Sequence, residues 1–264
     1  MKMKTLAIIN IIITVAVFIG NYFYQSLGFN YTLKIICSSG FAVMGIMNML
    51  YAWKRIANKK VLSFMTLGLV FAFLGDVAIN PNFILGVIFF ALGHVFFVLS
   101  YWAYKKLDKL DIIISIGLGA FAVGFILVFP YIVFDVAILK YVVLVYAVII
   151  SVMVGKSVGN AVREKGIFTG MIAVGSILFF LSDMMLLLAW FSTVEGRWTS
   201  NVCMAAYYPA LCLLAGSMVV YLNDDREKML GELPSNLKRG VLSEDGLYNL
   251  LIDVDNALSK YEEK

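Results

Sequence analysis

The chain has 264 residues, of which 62% are hydrophobic and 14% are charged, and its formal net charge is +4. Soluble domains are typically about 45–50% apolar and about 25% charged, so this composition excludes an ordinary soluble domain. Several apolar runs reach about 18 residues or more, enough to cross about 30 Å of hydrocarbon as a helix, which indicates a multi-pass membrane protein. The small positive charge resides in loops and the tail, and therefore predicts no nucleic-acid partner.

Eight transmembrane helices are predicted in chain order. The breaks between them carry turn or charge signals, including the segments NKK, NPN, KKLDKLD and VREKG. The predicted fold class is an all-α integral membrane bundle, with a transmembrane domain at 1–222 and a charged tail at 223–264. The predicted spans are residues 5–24, 32–53, 61–79, 83–104, 111–129, 136–155, 167–191 and 199–222.

Lysine and arginine concentrate on one side of the predicted bundle. The N-terminus, loops 2–3, 4–5 and 6–7 and the tail hold eighteen of these residues, whereas the other side holds only Lys34, Lys140 and Arg197. Because cytoplasmic loops carry the excess of basic residues, both termini are predicted to face the cytoplasm. In a bacterium the expected location is the plasma membrane.

The tail differs from the rest of the chain, since sixteen charged residues follow Leu222. Ser243 can cap a helix, and apolar residues recur after it at helical spacing. This pattern predicts a short cytoplasmic amphipathic helix that lies on the protein or membrane surface or docks a partner. The apolar positions are Leu247, Leu250, Leu251, Val254 and Leu258.

Two aspartates interrupt apolar helices in similar surroundings. Asp76 lies in FAFLGDVAI and Asp183 in FFLSDMMLLLAWF, at nearly the same distance from the start of predicted spans 3 and 7. With a rise of about 1.5 Å per residue, the two carboxyls are predicted at the same depth, nearer the non-cytoplasmic face. Charged residues inside membrane helices usually face a cavity or a partner, so both are functional candidates. The similar windows also predict a 4+4 parallel repeat of spans 1–4 and 5–8.

A single histidine accompanies the acids. His94 is predicted about one helical turn from their depth in span 4, and Tyr101 follows seven residues later on the same helical face. Gly75, Gly93 and Ser182 flank these polar residues and permit close helix approach. A purely structural role is the alternative, because a buried aspartate can cap a neighbouring helix and a buried histidine can serve packing.

Two buried carboxyls favour acid–base chemistry. Hydrocarbon disfavours the charged form of a carboxyl and a second carboxylate disfavours it further, so the pair can hold one proton near neutrality. Amide hydrolysis by an aspartyl dyad, acid-catalysed ether cleavage and proton-coupled transport all use such a pair. One histidine cannot supply a three-histidine zinc site, and no G-x-S-x-G motif is present. Neither a metal nor an organic cofactor is expected.

Several segments together resemble the YhhN-like lysoplasmalogenases. The blocks FLGDVAI, LGHVFFVLSY and FFLSDMMLLLAWF are similar to the family's signatures, and YAVIISVMVGKSV and AAYYPALCLLAGS are weaker matches. The resemblance extends over about residues 5–222 and leaves the tail outside. Similar proteins often carry a glutamine shortly after the Tyr-Tyr pair, where this chain has Leu211 after Pro209. Intramembrane aspartyl proteases are a second similarity, but their G-x-G-D block requires glycine at Phe73.

The resemblance implies hydrolysis of the vinyl ether of a lysoplasmalogen, a lysophospholipid taken from the bilayer. Asp76 and Asp183 would share the acid and base roles, as two carboxyls do in glycosidases. His94 and Tyr101 would orient water or the head group, and Tyr208 would line the cavity. A proton-coupled transporter and a non-catalytic scaffold that signals through the tail are the competing hypotheses. Membrane lipids are the expected surroundings, and no oligomeric state is predicted.

Overall fold

The part of the chain that the structure describes folds into a bundle of eight long helices. The computed structural model describes residues 2–53, 55–56, 59–193 and 196–232. Each of the eight helices is long and apolar enough to span a membrane. They are α1 Met3–Ser26, α2 Tyr31–Ala52, α3 Lys60–Ile79, α4 Phe83–Tyr104, α5 Lys109–Val128, α6 Ala137–Glu164, α7 Ile167–Phe191 and α8 Trp198–Glu232.

The predicted all-α class and the number of spans are confirmed, but two predicted ends are wrong. Helix α6 continues past residue 155 to Glu164, which places Lys156 inside the helix instead of in a loop. The charge is accommodated there because Lys156 is ion-paired with Asp111 at 2.8 Å. Helix α8 likewise continues past residue 222 to Glu232. The amphipathic helix expected at 247–258 lies outside the described residues.

The contacts between helices divide the bundle into two halves with similar packing. Neighbours in sequence pack together within each half, α1 to α4 and α5 to α8. Between the halves, α4 packs against α6, and the corresponding α8 packs against α2. Asp76 lies sixteen residues after the first residue of α3, and Asp183 lies sixteen residues after the first residue of α7. The halves differ at their first helices. α1 packs on both α2 and α8, whereas the corresponding α5 packs on α6 and not closely on α4.

A buried charge cluster holds α5 against α6 at the terminal face, the end of the bundle where α1 begins and α8 leaves. The Asp111 side chain is 1% exposed and pairs with both Lys156 and Arg163. Lys156 also donates to the Asn160 side chain and to the carbonyl of Lys106, in the loop before α5. Both ion-pair partners of Asp111 lie on α6, so this cluster anchors one end of α5 while its other end approaches the opposite face.

Candidate active site

Asp76 lies near the end of α3 that reaches the opposite face, and it is 2% exposed. One carboxylate oxygen, Oδ1, is 3.2 Å from the Lys34 ammonium of α2. The other, Oδ2, accepts hydrogen bonds of 2.6 Å from the hydroxyls of Ser38 and Tyr207. An isolated buried charge is very costly, so this set of one cation and two donors suits an ionised carboxylate.

Tyr208 belongs to the same cluster through its neighbours. Its hydroxyl is 3.3 Å from Ser38 Oγ and 3.3 Å from the backbone carbonyl of Lys34. The Lys34 ammonium also donates to the Asn80 side chain at 3.3 Å. Helices α2, α3 and α8 therefore meet at one polar centre around Asp76, with Tyr208 fully buried behind it.

Asp183 forms a second polar centre, in which α4, α6 and α7 meet. The Tyr146 hydroxyl donates to Asp183 Oδ2 at 2.6 Å. The His94 ring nitrogen Nε2 is 3.3 Å from the same oxygen and 2.7 Å from the Tyr146 hydroxyl. The other ring nitrogen, Nδ1, is buried without a hydrogen-bond partner in the part of the chain that the structure describes.

Aromatic side chains lie between the two centres. The Phe179 ring is 4.7 Å from the His94 ring and 5.4 Å from the Tyr207 ring, measured between centroids. Phe90 also meets the edge of Tyr207, at 6.2 Å. Because Tyr207 bonds Asp76 and His94 contacts Asp183, Phe179 links the two acids through van der Waals contacts.

A narrow cavity lies against Asp183 but not against Asp76. Its volume is about 40 Å³. This volume exceeds the 10–15 Å³ or so that a single water needs, but is far below the several hundred Å³ of typical ligand pockets. Asp183 and Tyr146 supply its polar groups, and the remaining wall is apolar, including Phe83, Val87, Phe90, Ile126, Met184 and Leu187. The cavity therefore combines one acid with an oily surface.

Aromatic residues cover the cavity toward the opposite face. Phe83 at the start of α4 contacts Trp190 and Phe191 at the end of α7, with centroids 4.8 and 5.2 Å apart. The loop between α5 and α6 joins them, since Phe134 contacts Phe191 at 4.8 Å and Val133 N–H donates to the Phe191 carbonyl. This cover must move for a long ligand to enter from that side.

Small residues beside the acids permit close helix packing, as the sequence predicted. A Cβ atom on Gly75 would lie 2.8 Å from the Phe90 ring. A Cβ on Gly93 would lie 3.1 Å from the carbonyl of Gly68. Glycine at Gly75 thus lets α4 bring Phe90, and with it the aromatic bridge, next to Asp76.

The structure brings most of the predicted site residues together. His94 directly contacts Asp183, and Tyr208 adjoins Asp76 through Ser38. Tyr101 is the exception, because its hydroxyl bonds Ser176 at 3.0 Å and contacts neither acid. The sequence predicted Tyr101 from its helical spacing to His94. Its fully buried side chain lies against Phe97 and α7, closer to the terminal face than the acids are.

Four residues of the two centres were missed: Lys34, Ser38, Tyr146 and Tyr207. On sequence alone, Lys34 counts only among the basic residues of the non-cytoplasmic side. Ser38 follows it by one helical turn, a spacing that places both on one face of α2. Tyr146 and Tyr207 lie inside the two weaker motif blocks. A buried tyrosine hydroxyl usually has a hydrogen-bond partner, and this was the signal in the sequence that could have identified them. Leu211, which replaces the glutamine of similar proteins, is fully buried and adds no polar group.

Within the described residues, no group of three His, Cys, Asp or Glu side chains is arranged to hold a metal ion. Cys37, Cys203 and Cys212 are buried free thiols. Cys203 contacts the residue that precedes Asp183, since its Sγ is 3.4 Å from Ser182 Oγ.

Comparison with known proteins agrees with the motif blocks. No match was found among curated proteins or among solved structures. The model of the YhhN family matches residues 37–218, which span more than half of the chain and contain both aspartates, His94, Tyr146 and Tyr207. The chain therefore belongs to the YhhN family.

Proposed function

We propose that this protein hydrolyses the vinyl ether bond of lysoplasmalogens and releases a fatty aldehyde and a glycerophospho-head group. The observation that carries the proposal is the Asp183 centre, a buried carboxyl with Tyr146 and His94 that borders an apolar cavity inside a membrane-spanning bundle. Membership of the YhhN family supports it.

Vinyl ether hydrolysis matches the chemistry that such a centre can perform. A carboxyl group donates a proton to the ether's second vinyl carbon, and the double-bond electrons form the new C–H bond. The result is an oxocarbenium ion, with positive charge shared between the first carbon and the ether oxygen. Water adds to the first carbon and loses a proton to a carboxylate, which gives a hemiacetal. The hemiacetal hydroxyl then gives up its proton to a carboxylate while the bond to the glycerol oxygen breaks. The glycerol oxygen takes up a proton, and the aldehyde is left.

The division of labour between Asp76 and Asp183 resembles that of the carboxyl pair in glycosidases, where one group is the acid and a charged partner stabilises the cation. His94 and Tyr146 orient Asp183 and the reacting water. Tyr207 and Tyr208 support Asp76. General acid–base catalysis of this kind typically contributes about 10²–10⁴-fold to the rate.

The substrate enters from the bilayer in this proposal. A single-chain lipid keeps its tail in hydrocarbon, and its vinyl ether lies just beneath the head group, at a depth that suits the acids. The cavity borders α5, which is anchored to α6 at the terminal face and does not pack closely on α4. Separation of α4 from α5 would therefore widen the cavity laterally for the alkenyl chain.

The test is an aldehyde-release assay with purified protein in detergent or proteoliposomes. A lysoplasmalogen should yield aldehyde. Two matched lipids should not react: the saturated alkyl ether, which has no double bond to protonate, and the ester lysophospholipid. Release of fatty acid from the ester, or no aldehyde from the vinyl ether, would reject the proposal.

Proton-coupled transport is the second candidate, and the paired halves of the bundle favour it, because parallel repeats occur in transporters. Transporter sites usually lie at interrupted helices, whereas α3 and α7 are continuous through Asp76 and Asp183. Proteoliposomes separate the two functions: a transporter would move the labelled lipid across the bilayer intact, and a hydrolase would cleave it.

A further inference from the structure

Two lysines occupy the same place in the two halves of the bundle but have different surroundings. Lys34 is three residues after the start of α2, and Lys140 is three residues after the start of α6. Lys34 is 6% exposed and pairs with Asp76, whereas Lys140 is exposed. The two halves, in which Asp76 and Asp183 occupy equivalent helix positions, therefore differ at these lysines.

The difference between the halves lies in the ion pairing of Asp76. Among the described residues, Lys34 is the only cation paired with it. The other titratable groups near it are neutral hydroxyls and thiols, those of Tyr24, Cys37, Cys203, Tyr207 and Tyr208. A buried ammonium needs a counter-ion, and a carboxylate with one ammonium and two hydroxyl donors has all three contacts only when it is ionised.

Among the residues that the structure describes, no lysine or arginine is paired with Asp183. Tyr146 gives its single hydroxyl proton to Asp183 Oδ2, so His94 Nε2 must carry a hydrogen to bond the Tyr146 oxygen. A neutral ring then leaves only a lone pair on the unpartnered Nδ1, whereas an imidazolium would bury an N–H without an acceptor. Neutral His94 provides no positive charge to hold Asp183 ionised.

The second oxygen of Asp183 is free for a proton. The Tyr146 and His94 contacts both fall on Oδ2, and Oδ1 takes no hydrogen bond from the described residues. Asp183 lines the cavity, and Asp76 does not. A carboxyl with its proton on Oδ1 keeps the Tyr146 and His94 contacts of Oδ2.

We propose that Lys34 is a positioning residue that holds Asp76 as a carboxylate and thereby makes Asp183 the proton donor. The inference rests on the proposed function for the identity of the reaction. The proton leaves Asp183 Oδ1 for the second vinyl carbon, and the Asp183 carboxylate that remains takes a proton from the attacking water. Asp76 keeps its charge throughout, paired with Lys34.

Infrared spectroscopy of the purified protein without substrate tests the protonation states, because a protonated carboxyl has a carbonyl stretch distinct from that of a carboxylate. At neutral pH the wild type should show the band of a buried protonated carboxyl. Asp183→Asn should lose this band, and Asp76→Asn should keep it. Loss of the band in Asp76→Asn and its retention in Asp183→Asn would overturn the assignment.

Lys34 is tested by its own variants. Lys34→Met should add a second protonated-carboxyl band, which is absent from the double variant Lys34→Met with Asp76→Asn. Lys34→Arg should keep the wild-type spectrum, and Lys140→Met is the matched control at the equivalent position. If Lys34→Met does not fold, the double variant should restore folding, because it removes both charges of the pair. No second band in a folded Lys34→Met, or no rescue of an unfolded one, would overturn the role of Lys34.

A kinetic readout separates positioning from substrate binding. Lys34→Met should lower kcat about tenfold or more with KM changed less than about threefold, since the lost effect is on proton transfer. A raised KM with unchanged kcat would overturn the positioning role. The infrared bands need no turnover, so absence of aldehyde release alongside the expected bands would reject the proposed reaction and leave the protonation states established.

Discussion

At the scale of single residues, the two aspartates occupy equivalent positions in their helices and differ in their partners. Asp76 contacts a lysine and two hydroxyls, whereas Asp183 contacts a tyrosine and a histidine beside a cavity. Membrane burial makes each contact consequential, because water does not replace a lost partner in hydrocarbon. Substitutions that preserve shape and remove one function are therefore informative at these positions.

Asparagine at either acid should abolish turnover. Asp76→Asn and Asp183→Asn each keep the side-chain shape but cannot exchange the catalytic proton or hold the charge. We expect aldehyde release to fall by at least about 100-fold, the lower range for acid–base catalysis. Size-exclusion chromatography should show the wild-type profile for both variants. Turnover within tenfold of the wild type in either one would remove that aspartate from the mechanism.

Glutamine at His94 should slow the reaction without stopping it. His94→Gln keeps a donor for Tyr146 but changes its geometry, so we expect a decrease of about tenfold in kcat, in the range of one perturbed hydrogen bond. Tyr101→Phe is the matched control, because its hydroxyl bonds Ser176 away from the acids, and kcat should stay within about twofold. Complete loss of activity in a folded His94→Gln would instead make His94 the acid or base.

At the scale of helices, the sequence predicted well where each helix crosses the membrane. It predicted poorly which charged side chains turn into the bundle. Apolar length decides where a helix crosses the membrane, so all eight spans were predictable. The direction of Lys34 was not, because a lysine near a helix end can snorkel to the interface or turn inward, and only the nearby Asp76 favours the second. Lys156 was predicted to lie in a loop because its ion-pair partner, Asp111, is on another helix and is not evident from the sequence around Lys156.

The charge cluster between α5 and α6 predicts a large stability effect. Asp111→Asn would leave Lys156, which is 1% exposed, without its counter-ion, and should lower the free energy of unfolding by about 3–5 kcal/mol. Lys105→Gln removes the exposed ion pair with Glu164 and should cost about 1 kcal/mol or less. Thermal unfolding in detergent measures both. Equal melting temperatures for the two variants would show that the buried cluster does not anchor α5.

At the scale of the whole molecule, the bundle has two halves with similar packing, and each places one acid sixteen residues after the start of its third helix. The halves are unequal at α1 and α5, and the cavity lies on the side where α5 packs on α6 rather than on α4. This arrangement, together with the distribution of lysine and arginine, predicts that substrate reaches Asp183 from the non-cytoplasmic leaflet.

Cysteine labelling on intact cells tests this orientation. Cysteines introduced at Asn82 and Arg197, at the opposite face, should react with an impermeant thiol reagent before the cells are opened. The native Cys37, Cys203 and Cys212 are buried, so the unmodified protein is the unlabelled control. Labelling only after cell opening would invert the topology and place both acids nearer the cytoplasmic leaflet.

Turnover of a lysoplasmalogen in D₂O tests the central claim most directly, namely that a carboxyl group of this protein protonates the vinyl carbon. The carboxyl proton exchanges with solvent before the substrate is cleaved. The aldehyde, trapped as a hydrazone and analysed by mass spectrometry, should carry one deuterium on the carbon next to the carbonyl, and formation of this product should require Asp183. Aldehyde without deuterium at that carbon, or labelled aldehyde formed at the wild-type rate by Asp183→Asn, would contradict the mechanism.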